Sequence, residues 1–299
     1  MSHPSTLMLP KAPILRETEV AVALADLAVR ALVEEACLTP KPGLVDLRGP
    51  GSHFDLSLPL MCRSAESLRP FLVMIAARSI NQRPDAELRR VLGEIGRQGE
   101  GAMYKATRGV NSHRGAIWTL GLLTAGAAMS LSGNPAEIAW NAAALARLPD
   151  AGAAPHRSRG TLACLQFGVS GARGEAIAGF PHVTRAGLPA LWAARERGAS
   201  TAEAQLDALL AIMAELDDTC ILQRGGWLAL RDTQEGARQV ILQGGTSTAC
   251  GRVALRQLEE TVRCHWVSPG GSADLLAATL FIDKCSRWDY DSIGAIWRD

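Results

Sequence analysis

Residues 20–46 read VAVALADLAVRALVEEACLTPKPGLVD, and this stretch decides the fold. Apolar side chains recur at helical spacing at Val20, Leu24, Leu27, Ala28, Ala31 and Leu32. A second apolar face is formed by Val22, Val29 and Val33. A helix that is apolar on two sides is expected at the centre of a fold. The helix must end near Leu38, because Pro40 and Pro42 cannot continue it.

The helical period continues along the rest of the chain, and no convincing run of alternating strand residues interrupts it. Leu206–Met213 repeats the apolar stripe behind Ser200 and Glu203, which form a capping box. Asn134–Pro135 predicts an N-cap followed by proline in the first helical turn. Because helices average about 11–12 residues, we predict an all-α fold with roughly ten or more helices.

Composition favours a single compact multi-helix domain. The 299 residues are 47% apolar and 20% charged, so they can bury a full core without disulfides or metal. The net charge of +1 does not suggest a nucleic-acid-binding surface. Prolines and the lack of a long apolar run predict a flexible N-terminal tail over residues 1–15 rather than a signal peptide. We place the helical domain at residues 16–299.

Cysteine usage and one uncharged segment bear on the location of the protein. The seven cysteines are odd in number and form no CxxC pair, which predicts reduced thiols in the cytoplasm rather than disulfides or zinc. Gly115–Ala136 carries no charge and is long enough to span a bilayer. Its many glycine, serine and threonine residues favour a buried core helix over a membrane span.

The prolines that end the central helix hold several charged side chains on one constrained loop. Close together in sequence lie Glu35, Lys41, Asp46, Ser52, His53 and Asp55. Loops on a rigid scaffold commonly carry catalytic residues. We expect Ser52 or Asp55 to cap the following helix. The alternative interpretation is a proline-stiffened turn with solvated charges.

A second segment, Gly109–Gly115, opens the uncharged helix. Asn111 or Ser112 is a natural N-cap. Free N–H groups at a helix N-terminus attract phosphate, and His113 and Arg114 would strengthen that attraction. A plain cap beside an exposed arginine would account for the same residues.

A third segment, Ser268–Asp274, contains two adjacent glycines. Gly270 and Gly271 let the backbone turn its N–H groups toward one anion. Ser268 and Ser272 offer hydroxyl groups, and Asp274 could bind Mg²⁺ at the start of a helix running from Ser272 to Asp283. A bare helix N-cap is the alternative.

Two further stretches place acidic and basic residues together. Arg173 lies near a predicted helix start, and Asp218 precedes Arg224 in the chain. Carboxylates near an arginine can form a metal or substrate site, although a surface ion pair is more common. The remaining histidines, which we expect to be structural or exposed, are His3, His156, His182 and His265.

The standard nucleotide-binding motifs are missing, since the chain has neither a GxxxxGK loop nor a GxGxxG loop. The segments together nevertheless resemble the triphosphoribosyl-dephospho-CoA synthase family. In order along the chain, the matching positions are Glu35, Thr39–Asp46, Gly51–His53, Asp55, Gly109–Asn111, His113–Gly115, Ala172–Ala176, Gly179–Pro181, Asp218–Thr219, Arg224–Gly226 and Ser268–Leu276. Two positions depart from the family pattern. Leu56 replaces the usual Met, and Ala102 stands where the citrate-lyase branch carries Asp.

The resemblance implies a reaction in which ATP and 3′-dephospho-CoA give 2′-(5″-triphosphoribosyl)-3′-dephospho-CoA and adenine. The product would pass to a holo-acyl-carrier-protein synthase. Asp217–Cys220 and His113–Gly115 look more like the branch that serves malonate decarboxylase, with service to citrate lyase as the alternative. The resemblance also leaves open a homodimer. It gives no reason to expect nucleic acid or a membrane as a partner.

The resemblance implies roles in two sets, and the assignments within each set stay open. Carboxylates for base or metal work are Glu35, Asp46 and Asp55, with Asp218 and Asp274 as further Mg²⁺ ligands. Residues implied in binding phosphates and substrate are Lys41, Ser52, His53, Asn111, His113, Arg114, Arg173, Arg224, Ser268, Gly270, Gly271 and Ser272. Two rival hypotheses remain, a metal-dependent hydrolase of nucleotides or ADP-ribosyl groups and a non-enzymatic carrier of CoA derivatives.

Overall fold

The computed structural model describes residues 12–153 and 158–288, and over those ranges the chain is helical without a strand. The only β-type pairing there is a single bridge between Asp46 and Gly49. The helices are α1 Ala12–Cys37, α2 Leu58–Ser67, α3 Arg69–Ser79, α4 Ala86–Thr107, α5 Arg114–Ser130, α6 Pro135–Arg147, α7 Arg159–Phe167, α8 Gly171–Ile177, α9 Leu188–Glu196, α10 Thr201–Met213, α11 Thr219–Leu242, α12 Ala249–Cys264 and α13 Gly270–Ser286, with a π-helical turn at His182–Gly187. The predicted all-α fold is confirmed.

Helix α1 is the central helix that its two apolar faces predict. It packs against α2, α3, α5 and α13, and Leu24 and Leu32 on its main stripe are buried. The helix ends at Cys37, just before the prolines. It begins at Ala12, inside the segment predicted to be a tail, and residues 1–11 lie outside the described residues. On the second face Val29 is buried, whereas Val22 is exposed.

Helix α5 is the buried core helix predicted from the uncharged segment. It packs against α3, α6 and α13, and Gly126 allows the α6 backbone to approach, because a Cβ there would collide with the Ile138 carbonyl oxygen. Within the described ranges no single helix is long and apolar enough to cross a membrane, and α5 and α6, which together reach that length, are bent by 118°.

The predicted helix caps are confirmed at α6 and α10, whereas the caps predicted for α2 and α5 are wrong. Asn134 caps α6, and Ser200 and Glu203 form the capping box of α10. Neither Ser52 nor Asp55 caps the helix after the proline loop, because α2 begins at Leu58 and its N-cap position is Ser57. The segment between α6 and α7 ends at Ser158, the N-cap of α7, and residues 154–157 lie outside the described residues.

Packing of α13 against α1 and α5 brings three helix ends together. The C-terminal end of α1 meets the N-terminal ends of α5 and α13. Helix α11 begins beside them, because Asp218 at its start bonds to the backbone of α13. Helix α11 also kinks at Gly226, which has a φ of +66°. Side chains of four separate sequence segments therefore converge at one place.

Candidate active site

Glu35 and Lys41 form a buried ion pair at the C-terminal end of α1. The Lys41 ammonium donates to the Glu35 carboxylate at 2.5 Å and to the Glu35 backbone carbonyl at 2.5 Å. Only 4% of Glu35 and 2% of Lys41 is exposed. Lys41 was predicted to bind phosphate, but the structure shows its donors turned inward to Glu35 rather than outward to solvent.

Asp46 supports this loop rather than projecting from it. Its carboxylate accepts from the Lys41 backbone N–H at 2.9 Å and from the Arg48 guanidinium at 2.8 and 3.0 Å. Burial opposes ionisation of Asp46, but the hydrogen bonds from Arg48 and Lys41 outweigh it and lower the pKa. Arg48 also pairs with Glu259 on α12 at 2.6 Å. Asp46 is thus fully engaged in holding the loop, and sequence analysis missed Arg48.

Ser52 and His53 connect the same loop to α11 and α13. The Arg224 guanidinium donates to the Ser52 carbonyl at 2.7 Å, and His53 Nε2 lies 2.9 Å from Ser268 Oγ. Burial and the positive charge of Arg224 lower the pKa of His53 to about 4. Asp55 lies at the rim of the site, because 64% of its side chain is exposed and its carboxylate lies 3.8 Å from His53 Nδ1.

Asp218 caps α13 from a distant part of the chain. Its carboxylate accepts from the backbone N–H groups of Gly271 and Ser272 at 3.2 and 2.8 Å, and from the Ser272 hydroxyl at 2.9 Å. A Cβ at Gly271 would press against this carboxylate, so the glycine is needed for the contact. The glycine turn was predicted to present N–H groups to phosphate. Those of Gly271 and Ser272 are instead occupied by Asp218, and the helix begins at Gly270 rather than Ser272.

Asp274 is close enough to Glu35 and Asp218 to interact with their negative charges. Its side chain is close to the backbone of Gly115, where a Cβ would collide with it, and it accepts a hydrogen bond from the Ala116 backbone N–H. Burial raises the pKa of Asp274 well above its ordinary value, and the negative charges of Glu35 and Asp218 raise it further. A raised pKa favours the protonated form of Asp274. Asp274 belongs to the third segment and contacts the first turn of α5, so it links the third segment to the second.

His113 is the most deeply placed histidine of the site. It is the N-cap residue of α5, where Asn111 or Ser112 was predicted, and its Nδ1 lies 2.7 Å from Ser64 Oγ. Ser64 in turn lies 2.6 Å from Ser112 Oγ. Among the described residues, the buried Nε2 of His113 has no hydrogen-bond partner. Sequence analysis missed Ser64, because nothing in the α2 segment distinguishes it from an ordinary helix serine.

Neutral His113 should make stability depend on pH. Burial and the charge of Lys41 lower the pKa of His113 to about 4, against about 6.5 in an unfolded chain. Between those two pKa values the unfolded state binds more protons than the folded state. The stability of the folded chain with neutral His113 is therefore complete above pH 6.5 and is lost as the pH falls toward 4. Between pH 7 and pH 5, we expect wild type to lose about 2 kcal/mol more unfolding free energy than His113→Gln. Urea unfolding at both pH values measures this, and equal losses would contradict it.

The other predicted residues lie at the edge of the site or away from it. Asn111 accepts from the Arg114 backbone N–H at 3.3 Å, and Arg114 pairs with Glu100 on α4 at 2.8 Å. Arg173 is exposed at the start of α8. Two of the histidines set aside in the sequence, His182 and His265, pair with Glu175 and Asp232 respectively, and His3 and His156 lie outside the described residues.

The five predicted metal ligands do not form one preformed metal site. Over residues 12–153 and 158–288, no three histidine, cysteine or acidic side chains are grouped so as to hold a metal ion. Asp46 is engaged by Arg48, Asp218 by the α13 backbone, and Asp55 is largely exposed. Of the five, Glu35 and Asp274 are close enough for the charge of Glu35 to act on Asp274.

Comparison with known proteins agrees with these motifs. The family described as ATP:dephospho-CoA triphosphoribosyl transferase matches residues 21–292. A protein of Pseudomonas paraeruginosa, named a probable 2-(5″-triphosphoribosyl)-3′-dephosphocoenzyme-A synthase, is 54% identical over 263 residues, which cover 87% of this chain and 90% of that protein. The protein of Klebsiella pneumoniae named 2-(5″-triphosphoribosyl)-3′-dephosphocoenzyme-A synthase is 52% identical over 262 residues, which cover 87% of this chain and 94% of that one.

No solved structure matches the chain. The family match spans all of the motifs that converge at the ends of α1, α5, α11 and α13. The relatives align over nearly their whole length at about half identity. The chain therefore belongs to the ATP:dephospho-CoA triphosphoribosyl transferase family, and it is a transferase.

Proposed function

We propose that this chain transfers the 5-triphosphoribosyl group of ATP to the 2′-hydroxyl of 3′-dephospho-CoA. In this reaction a bond forms between the acceptor O2′ and C1″ of the ATP ribose, and the bond from C1″ to the adenine nitrogen breaks. The hydroxyl proton goes to a base, and the departing adenine takes up a proton. The names of the relatives and the family match support the proposal.

The observation that carries the proposal is the placement of a buried carboxyl group, Glu35, and a partly buried one, Asp274, in unlike surroundings. Glu35 is paired with the Lys41 ammonium, whereas burial raises the pKa of Asp274 well above its usual range. Two neighbouring carboxyl groups whose surroundings differ in this way suit a base and an acid. We assign Glu35 to accept the hydroxyl proton and to stabilise positive charge on the ribose in the transition state. Asp274 donates a proton to the departing adenine.

The substrate phosphates require positive charge and hydrogen-bond donors. Arg224 and His53 lie together where α11 meets the proline loop, beside Ser268. Arg114 lies at the first turn of α5. We propose Mg²⁺ as a companion of ATP, because Mg²⁺ usually takes most of its ligands from phosphates and water and only one or two from carboxylates. The structure offers no preformed protein cage for it among the described residues.

We propose the malonate decarboxylase branch as the pathway that uses the product. Asp217–Cys220 and the arginine after His113 favour that branch over the citrate-lyase branch. A holo-acyl-carrier-protein synthase would then take up the product. A cytoplasmic location and a homodimer complete the proposal, and gel filtration with light scattering measures the second of these.

The reaction is tested by following adenine. We expect adenine release from ATP and Mg²⁺ only when 3′-dephospho-CoA is present, with a product whose mass equals both substrates minus adenine. Liquid chromatography with mass spectrometry measures both. Equal adenine release without the acceptor would instead indicate a hydrolase. Binding of dephospho-CoA without adenine release would indicate a carrier.

A further inference from the structure

A second group of charged residues lies outside the site described above, where α4, α5, α8 and the end of α6 approach one another. The Arg97 guanidinium donates to the Asp150 carboxylate at 2.8 Å, and the Arg89 guanidinium forms an ion pair with it at 3.4 Å. The Arg89 guanidinium lies over the Trp118 ring, 5.3 Å from its centroid. Trp118 Nε1 donates to the Ala172 carbonyl at 3.2 Å, and Arg173 is the residue that follows Ala172. We call Arg89, Arg97, Arg173, Asp150 and Trp118 the Asp150 cluster.

The Asp150 cluster contains more positive charge than its one carboxylate neutralises. Only 6% of Arg89 is exposed, and its buried Nε has no hydrogen-bond partner in residues 12–153 and 158–288. Within the described residues the Arg173 guanidinium makes no hydrogen bond or ion pair, and it is exposed. A buried donor without a partner costs free energy, and the excess positive charge beside it favours an anion at the exposed guanidinium of Arg173. Asp150 packs closely against α4, because a Cβ at Gly93 would collide with the Asp150 carboxylate.

The cluster adjoins the candidate active site through two helices. Trp118 lies about one turn along α5 from Arg114, which pairs with Glu100, and Arg97 lies about one turn before Glu100 on α4. The distance between the cluster and the first turn of α5 is therefore about one helical turn, or ~5 Å along either axis. A nucleotide with its sugar at Glu35 and Asp274 could extend its phosphates toward the arginines.

We propose that the Asp150 cluster is a subsite for a pyrophosphate group of a nucleotide substrate. Arginine suits this ligand, because its planar guanidinium donates two parallel hydrogen bonds to phosphate oxygens. This proposal rests on the proposed function, which supplies two possible sources of the bound phosphates. They are the triphosphate of ATP and the pyrophosphate that joins adenosine to the pantetheine arm in 3′-dephospho-CoA. Both present the same chemistry.

Equilibrium binding separates the two sources. Isothermal titration calorimetry is performed with the whole chain and three probes, namely ATP with Mg²⁺, 3′-dephospho-CoA and inorganic pyrophosphate. Arg173→Ala and Arg97→Ala are compared with Arg78→Ala, an exposed arginine at the end of α3 that makes no described contact. Each cluster variant loses a charge-assisted hydrogen bond to phosphate, which lowers the binding affinity. We therefore expect inorganic pyrophosphate to bind roughly ten- to a hundredfold more weakly in both cluster variants.

The nucleotide arms then show which phosphates occupy the subsite. Weaker binding of 3′-dephospho-CoA at unchanged ATP affinity places the acceptor there, and the reverse places ATP there. Wild-type affinity for all three probes in both variants overturns the proposal, as does an equal loss in Arg78→Ala. Because binding rather than turnover is measured, failure of the subsite is distinguishable from failure of the proposed reaction, which would show as no adenine release by wild type.

Discussion

Replacing Glu35 with Gln is expected to lower the turnover of ATP and 3′-dephospho-CoA by about 10²- to 10⁴-fold, the range typical of a lost general base. Gln keeps the shape of the side chain but cannot accept the hydroxyl proton of the acceptor. Steady-state adenine release measures the loss. The first reason to expect an effect at this position is burial, since Glu35 is 4% exposed and its charge is paired with Lys41.

Glu34 provides a matched control for this substitution. It is the preceding residue of α1, and it also forms an ion pair with a lysine, Lys284 of α13, at 2.8 Å. Its side chain is 39% exposed, so the pair is worth only about 0–1 kcal/mol. Glu34→Gln should therefore keep wild-type turnover. Equal turnover of Glu35→Gln, Glu34→Gln and wild type would remove Glu35 from the chemistry.

A second variant separates catalysis from stability. Glu35→Gln leaves a buried lysine ammonium without its counter-charge, which costs about 3–5 kcal/mol of unfolding free energy. Adding Lys41→Met removes that charge, and we expect the double variant to recover much of the lost stability while turnover stays low. Recovery of turnover together with stability would show that Glu35 acts only through the fold.

Most of the fold could be predicted from local sequence, because helix formation depends on short-range spacing. The stripe of α1, the prolines that end it and the uncharged α5 each predict their own element. Boundaries that depend on distant contacts were less predictable. The start of α13 is an example, since its cap is Asp218, which is 54 residues away from Ser272 in the chain.

The candidate site was predictable as a set of residues but not as an arrangement. The motifs of the first, second and third segments do meet, through Glu35, Lys41, His113 and Asp274. The sequence cannot show which polar groups use up one another's hydrogen bonds. Asp46 is engaged by Arg48 and Asp218 by a helix end, so neither projects toward substrate as the motifs alone suggested.

Asp218 and Asp274 differ in how much hydrogen-bonding capacity they retain. Asp218 accepts from three backbone N–H groups, those of Cys220, Gly271 and Ser272, and from the Ser272 hydroxyl. That is enough to fill the capacity of a carboxylate. Asp274 accepts from the Ala116 backbone N–H and stands beside two other acids, Glu35 and Asp218. Asp218 therefore positions the start of α13, and Asp274 is free to act on a substrate.

Asp274→Asn is therefore expected to lower turnover by about 10²- to 10⁴-fold while raising the melting temperature. Burial raises the pKa of Asp274 in the folded chain, so its contribution to stability is present below the unfolded pKa and is lost as the pH rises toward the folded pKa. Asn removes that penalty at neutral pH and still accepts from the Ala116 N–H. Adenine release and thermal unfolding at pH 7 measure the two effects.

Asp218→Asn is the comparison, and its melting temperature should change in the opposite direction. The amide NH₂ cannot accept the hydrogen bonds that one carboxylate oxygen now receives, so α13 loses part of its cap and the chain should melt at a lower temperature. A lower melting temperature in both variants would show that Asp274 is also structural. Wild-type turnover in Asp274→Asn would exclude it as the proton donor, because an amide has no proton to give to adenine at neutral pH.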